Sequence, residues 1–316
     1  MFKEINFLCP ICKKGILNLG KKSLSCSNVK CKKSFPIKNN VPILINETSS
    51  IFDLKDFDEG KITTLLEQKR NNFSKFLRRI IPRLGPNLSS RKNYLLLSKL
   101  VQKKSKLPKI LVIGAGIEGK DFEIIGSVEK NNIYYTDVSF GPNTNIICDA
   151  HDLPFENSTF DAVISQAVLE HVADPYRCVD EFHRVLKKGG YVYAETPFMQ
   201  QVHMAPYDFT RFTQLGHRRL FRKFSDIDSG VCCGPGMALA WAYQYFLLSF
   251  SERKIIRKFI KVFAAYTSFF LSYFDRYLIR KSGSFDAASA YYFLGSKSNQ
   301  ILSDKQIIKM YKGAGR

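Results

Sequence analysis

The chain holds no apolar run long enough to cross a bilayer. The aromatic stretch at 238–250 is too short, and Lys261 interrupts the next one, so no membrane span is expected. The opening residues, MFKEINFLCPICKKG, lack the apolar segment of a secretory signal. Export is therefore not expected, and a cytoplasmic location is. No internal repeat or low-complexity tract is present, which argues against a solenoid or a fibrous chain. No carboxylate cluster marks a divalent-cation site. Acids are also scarce: 28 Asp and Glu stand against 48 Lys and Arg, a formal charge of +20.

The shortage of acids is local. Residues 61–109 carry 14 basic side chains and one acid, Glu67, and residues 201–316 carry 18 against 7. Residues 111–200 reverse the balance, with 6 basic against 14 acidic. An acidic centre flanked by basic arms suits an anionic partner: nucleic acid, a membrane surface or a phosphorylated substrate. Solubility alone accounts for the same composition. The 316 residues suffice for one domain of about 200 residues and a smaller companion.

Half of the eight cysteines lie at the start. Cys9, Cys12, Cys26 and Cys31 are spaced C-x2-C-x13-C-x4-C. Two close pairs separated by a short hairpin fit a tetrahedral four-thiolate zinc site. Such a site is structural, because four thiolates leave no open position, and it lets a short segment with little apolar content fold. Disulfides or buried thiols are the alternatives. Cys148, Cys178, Cys232 and Cys233 show no ligand spacing.

Residues 1–46 read as a zinc ribbon with short strands around KKSLSC and FPIKNNVPILI. Residues 47–92 read as a polar linker and basic helices, broken at Pro82, Gly85 and Pro86. From Ile110 onward, strand and helix patterns alternate over the domain at 93–316. KILVI, NIYYTD, NIICD, DAVISQ and GYVYAETP are the strands; PYRCVDEFHRVLKKGG is a helix. This alternation predicts a mostly parallel sheet with helices on both faces. A helical insertion, about 237–285, precedes a last strand, AYYFLGSK.

The first strand leads into IGAGIEGK. Gly114, Gly116 and Gly119 fit G-x-G-x-x-G, which permits a tight turn and close backbone approach to a ligand. About twenty residues later Asp137 ends a second strand, where a carboxylate can accept from ribose hydroxyls. An adenosine-containing ligand follows; a dinucleotide does not follow from this loop alone.

The stretch IICDAHDLPFENSTFDAVISQAVLEHVADPYRCVDEFHRVLKKGGYVYAETPF is more specific. It resembles the class I S-adenosylmethionine-dependent methyltransferases, with the family's -DLPF- turn, F-D-x-V strand, -LEH- helix start and -RVLK-x-GG- turn in order. Lys188 stands where proline is common. The resemblance covers about residues 95–230 and implies a Rossmann-like α/β fold with a seven-stranded sheet. It implies that Gly114, Ala115 and Gly116 line the methionine moiety of S-adenosylmethionine. Asp137, with Val138 beside it, would hold the ribose. Asp149 would meet the adenine amino group, with Ala150 and His151 beside the ring, and Gln166, on the loop after the fourth strand, would lie near the sulfonium. Many members carry an acid two positions before the first loop glycine; here Val112 occupies that position, and Glu118 is a possible replacement. The first segment, CPICKKG…FPIKNNVPILI, resembles the small zinc-ribbon proteins that activate methyltransferases, although x4 between Cys26 and Cys31 exceeds the commoner x2.

Beyond the fifth strand, TPFMQQVHMAPYDFTRFTQLG offers His203, Tyr207, Asp208 and Arg211 near the transferable methyl. Methyl transfer is mainly a problem of alignment, and a hydroxyl acceptor also benefits from a general base. His203 is the candidate base, with Asp208 orienting it or binding sugar hydroxyls. An Asp208–Arg211 ion pair is the alternative, and His171 reads as a pocket-wall residue. The -VHxxPxDFxRFT- segment and the aromatic insertion resemble methyltransferases encoded with bacterial surface-polysaccharide genes. That resemblance implies a sugar or lipid-linked glycan acceptor. Residues 251–281 carry eight basic and two acidic side chains among many aromatics, as expected of helices lying peripherally on the inner face of the plasma membrane; packing on the sheet or in a dimer explains them equally. RNA methylation through the ribbon and basic arms is a second reading. A binding module without turnover is a third.

Overall fold

The computed structural model describes residues 5–58, 80–82, 84–116, 122–127 and 132–315. Glu118, Gly119 and most of the expected first basic helix lie outside the described residues. Those described form an eleven-stranded sheet in the order β1-β2-β3-β4-β7-β6-β5-β8-β9-β11-β10.

The central strands are the apolar runs read from the sequence. β5 (Ile110–Ile113) is buried throughout and pairs in parallel with β6 (Ile133–Asp137) and β8 (Phe160–Gln166). β6 continues to β7 (Ile146–Cys148), and β8 to β9 (Leu186–Pro197), both in parallel. Strands buried on both faces need continuous hydrophobic runs, and ILVI and IIC supply them. β11 (Ala290–Lys297) returns antiparallel between β9 and β10 (Phe224–Cys233). These seven strands form the mostly parallel seven-stranded sheet that the resemblance implies.

The expected helix over PYRCVDEFHRVLKKGG stops earlier. α2 spans Pro175–Val185, and Leu186 already pairs with Phe160 as the first residue of β9. Asp174 caps the helix start by accepting from Arg177 N–H, and Pro175 fits the first turn. α1 (Ser90–Lys104) buries Tyr94, Leu97 and Val101 against Val112, Ile164 and Tyr193 on one sheet face. α2 covers the other face with Cys178, Phe182 and Val185.

The ribbon joins this sheet. β1 (Leu17–Leu19), β2 (Ser23–Cys26), β3 (Ser34–Lys38) and β4 (Val41–Leu44) form antiparallel neighbours. β4 then pairs in parallel with β7, Ile43 opposite Ile147 and Leu44 opposite Cys148. Phe7, Leu24 and Phe35 of the ribbon share one core cluster with Phe155, Phe160 and Phe182. Full burial of each such ring is worth roughly 1.5–3 kcal/mol. Polar contacts add to this joint: Lys13 Nζ lies 3.0 Å from Glu181 and 3.2 Å from Asp152, and Leu8 N–H donates to the Pro154 carbonyl at 3.0 Å.

At the opposite end, α3 (Pro235–Leu248) and α4 (Lys254–Ser268) lie between β10 and β11. Phe246, Phe250, Ile255, Phe259, Phe263 and Tyr277 are exposed there. No helix among the described residues is long and apolar enough to cross a membrane.

Candidate active site and cysteine cluster

A cavity of about 560 Å³ opens over the carboxyl ends of β5, β6 and β8, the usual ligand position in a doubly wound sheet. Its size suits a ligand as large as an adenosine derivative. Gly114 turns the chain at the end of β5 with φ +72°, and a Cβ there would stand 2.3 Å from Val168 Cγ2. Only glycine leaves this cradle open. Gly116 N–H donates to Asp137 Oδ2 at 2.8 Å, and Ser139 Oγ donates to Oδ1 at 2.9 Å. Burial raises the Asp137 pKa above the ordinary carboxylate value, although these donors oppose the shift. Ala115 and Val138 line the same cavity.

Asp149 follows β7 and is held from three sides. His151 N–H donates to Oδ1 at 3.0 Å, and His151 Nδ1 lies 2.5 Å from that oxygen. His151 Nε2 accepts from Asp174 N–H at 3.0 Å, so its hydrogen sits on Nδ1. The third donor comes from the ribbon side: Ser50 Oγ, 2.6 Å from Asp149 Oδ2. Burial pushes the Asp149 pKa up, but the His151 and Ser50 contacts outweigh it and leave it lowered. Asn46 and Ser49 reach Asp152 at 3.1 and 2.5 Å. Ile51 and Phe52 line the cavity with Ala150 and His151. Ile51 and Phe52, which the sequence places in a linker, therefore form part of the cavity wall, and Ser50 braces Asp149 beside them.

The floor contains a carboxylate that sequence reading did not single out. Glu195, near the end of β9, is buried and lines the cavity. It accepts from Asn87 Nδ2 at 2.9 and 2.8 Å, from Gln166 Nε2 at 2.7 Å, and from the Tyr193 hydroxyl. Burial raises its pKa despite these donors. Gln166 is the last residue of β8 rather than a loop residue, and its Oε1 accepts from the Tyr94 hydroxyl at 3.1 Å. An acid ending a strand pattern such as YVYAETP gives no local signal of this network.

His203 and Tyr207 line the cavity on the loop after β9, together with His171 from the segment after β8. His203 lies 4.8 Å from the His171 ring, edge to face. Burial would lower the His203 pKa, but the neighbouring Glu170 carboxylate outweighs burial and raises it. Asp208 is not among the cavity-lining residues. It pairs with Arg211 through both oxygens and accepts from His203 N–H at 2.6 Å, while its nearest approach to the imidazole is 3.6 Å. Asp208 thus holds the loop in shape through His203's backbone. The arm at the far end also reaches this loop: Tyr245 Oη of α3 donates to the Val202 carbonyl at 2.7 Å.

The four N-terminal cysteines meet. Cys9 and Cys31 sulfurs are 3.8 Å apart, and Cys12 and Cys26 sulfurs 3.6 Å. These spacings are far too long for a disulfide, near 2.05 Å. A tetrahedral ion about 2.3 Å from each sulfur separates them by about 3.8 Å, so the donor set fits zinc. Burial pushes the Cys9 thiol up to about 12. Burial also pushes the Cys12 thiol up, but the Gly15 and Lys14 backbone amides and the Asn28 and Cys26 side chains together bring it down to about 6. A Cβ on Gly15 would lie 2.3 Å from Cys26 Sγ, so this turn requires glycine.

Residues 114–194 match the methyltransferase domain family, and the sheet order and the cavity agree with it. Over those residues the chain carries a methyltransferase domain, on a Rossmann-like fold of the class I kind. It is 33% identical over 96 residues to the chloroplastic 2-methyl-6-phytyl-1,4-hydroquinone methyltransferase 1 of Oryza sativa subsp. japonica, covering 26% of this chain and 28% of that protein. It is 34% identical over 95 residues to the mitochondrial arginine-hydroxylase NDUFAF5 of Mus musculus, covering 26% and 27%. The chain thus spans about a quarter of the length of these curated relatives. Among solved structures, phosphoethanolamine N-methyltransferase 2 of Haemonchus contortus aligns with a TM-score of 0.40 and 16% identity, over 90% of this chain and 70% of that one.

Proposed function

We propose that the protein transfers a methyl group from S-adenosylmethionine to a hydroxyl of a sugar or lipid-linked glycan, at the cytoplasmic face of a membrane. The observation that carries the reading is one cavity lined both by Gly114, Asp137 and Asp149 and by His203 and Tyr207. The open cradle at Gly114 suits the methionine moiety; Asp137 is placed for the ribose, and Asp149, Ala150 and His151 for the adenine. When bound, S-adenosylmethionine supplies a methyl already activated by its sulfonium. The chain's part is to align acceptor and donor and to accept a proton. Alignment falls to the loop that Asp208 and Arg211 brace. The His203 imidazole is the group placed to take the hydroxyl proton.

The membrane reading is supported by the exposed aromatics of α3 and α4, interleaved with Lys254, Arg257, Lys258 and Lys261. A basic, aromatic helix face suits an anionic bilayer. The four cysteines, we further propose, bind a structural zinc that fixes the ribbon against the cavity wall. The test is label transfer from methyl-labelled S-adenosylmethionine to two fractions, lipid-extracted glycan intermediates and deproteinised RNA. Label in the glycan fraction, lost in His203→Ala, is expected. Label in RNA, released by ribonuclease, would replace this reading with RNA methylation.

A further inference from the structure

A carboxylate and two imidazole nitrogens converge beside the cavity, none of them within hydrogen-bond distance of another group. Glu170 is buried, and neither of its carboxylate oxygens accepts a hydrogen bond. His171 Nε2 is also buried without a partner, 3.7 Å from Glu170 Oε1. His203 Nε2 lies 3.7 Å from the same oxygen.

The His171 hydrogen sits on the opposite ring nitrogen, and His203 can hold its own in the same way. His171 Nδ1 lies 2.5 Å from the Tyr207 carbonyl, which can only accept. His203 Nδ1 faces the Gln201 carbonyl at 3.3 Å and Asp208 Oδ2 at 3.6 Å. Arg211 Nη2 comes within 3.4 Å of that nitrogen, but it lies closer to Asp208 Oδ2, at 2.7 Å, and to Gln201 O, at 3.2 Å. Both Nε2 atoms therefore face one buried carboxylate, and the array needs a positive charge at its centre, either a proton on an imidazole or a metal ion.

We propose that Glu170, His171 and His203 bind a divalent first-row transition cation beside the cavity. Their ligand atoms all lie within 4.8 Å of one another. A small inward rotation brings each to the roughly 2.0–2.2 Å that nitrogen and carboxylate ligands need. The backbone carbonyls of Tyr207 and Gln201, receiving the Nδ1 hydrogens, are the outer partners that metal-binding histidines use to fix their orientation. Two imidazoles and one carboxylate also leave coordination positions free toward the cavity. The cation's charge would favour the ionised form of an acceptor hydroxyl beside it, its proton passing to water, because a coordinated His203 is a ligand and not the proton acceptor. This last role rests on the hydroxyl-acceptor reading; the binding itself does not.

The probe is Mn2+, which prefers oxygen and nitrogen ligands over the cysteine cluster. Zinc-loaded full-length protein is titrated and free Mn2+ read by electron paramagnetic resonance. We expect one Mn2+ bound per chain, with affinity lowered at least tenfold in Glu170→Gln and in the more exposed His203→Gln. Melting curves would show that the variants fold. Unchanged free-ion signal with the wild-type protein, or equal binding by both folded variants, would overturn the site. Label transfer to glycan separates the two readings. Mn2+ bound with no glycan labelled keeps the cation site and refutes the acceptor. Glycan labelled at full rate by Glu170→Gln, with no Mn2+ bound by the wild type, refutes the site and keeps the acceptor.

Discussion

Both ends of the sheet carry additions to the methyltransferase core, and they are built in opposite ways. At the β7 end the ribbon is knitted in. It contributes a parallel strand, aromatic and aliphatic side chains such as Phe7, Leu24 and Phe35 to a common core, and ion pairs from Lys13. At the β10 end, α3 and α4 touch the site through Tyr245 and leave Phe246, Phe259 and Phe263 facing outward. The first addition spends its apolar surface inside the molecule; the second keeps its surface available. The ribbon end should therefore govern whether the cavity forms, and the helical end where the protein works.

Breaking the ribbon is expected to have the largest effect. Cys12→Ser, or zinc removal by a chelator, should lower the affinity for S-adenosylmethionine more than tenfold, because Ser50, Ile51 and Phe52 follow the ribbon. Calorimetric titration measures this, with metal content checked by atomic emission; unchanged affinity would make the two ends equivalent. Next comes Gly114→Ala. Its Cβ collides with Val168 at a positive φ, and a loss of about tenfold or more in binding is expected, at roughly 1.4 kcal/mol per tenfold. Gly283→Ala, where nothing lies within 4 Å, should bind as the wild type does.

A finer probe of the ribbon end is Ser50→Ala. It removes one donor from Asp149, and about 1 kcal/mol is expected, or about a fivefold weaker affinity. The smallest effect on the folded molecule should come from Phe259→Ser with Phe263→Ser. Stability should change by no more than about 0.5 kcal/mol per site, and turnover on a soluble acceptor should hold. Cosedimentation with anionic vesicles should fall; undiminished cosedimentation would remove the contrast on which the comparison rests.

What could be read from the sequence follows the range of the interactions. β5 to β9 and β11 are local apolar patterns, and the glycine loop, Asp137 and Asp149 sit at fixed offsets from them. β10 gave no pattern: FSDIDSGVCC mixes acids, serines and glycine, and its place is set by pairing with β11. The end of α2 depends on the demand of β8 for a neighbour at Leu186. Glu195 is held by Asn87, more than a hundred residues away, and Ser50 meets Asp149 across a similar interval. Glu170 and His171 are adjacent in LEHV, but His203 joins them only through the loop after β9. Contacts of that range leave no spacing to read.

The pairing of β4 with β7 also bears on how the chain is made. Ile43 must wait for Ile147, 104 residues later (147 minus 43). At roughly 5–20 residues per second of synthesis, that wait is on the order of 5–20 s. During this interval the cysteine-rich hairpin presents the unpaired edge of Val41–Leu44 to its surroundings. An open edge of that kind invites pairing with other chains. Its shortness, four residues, and the nearby Lys32, Lys33 and Lys38 are what a nascent chain would rely on to stay single until its own partner strand arrives.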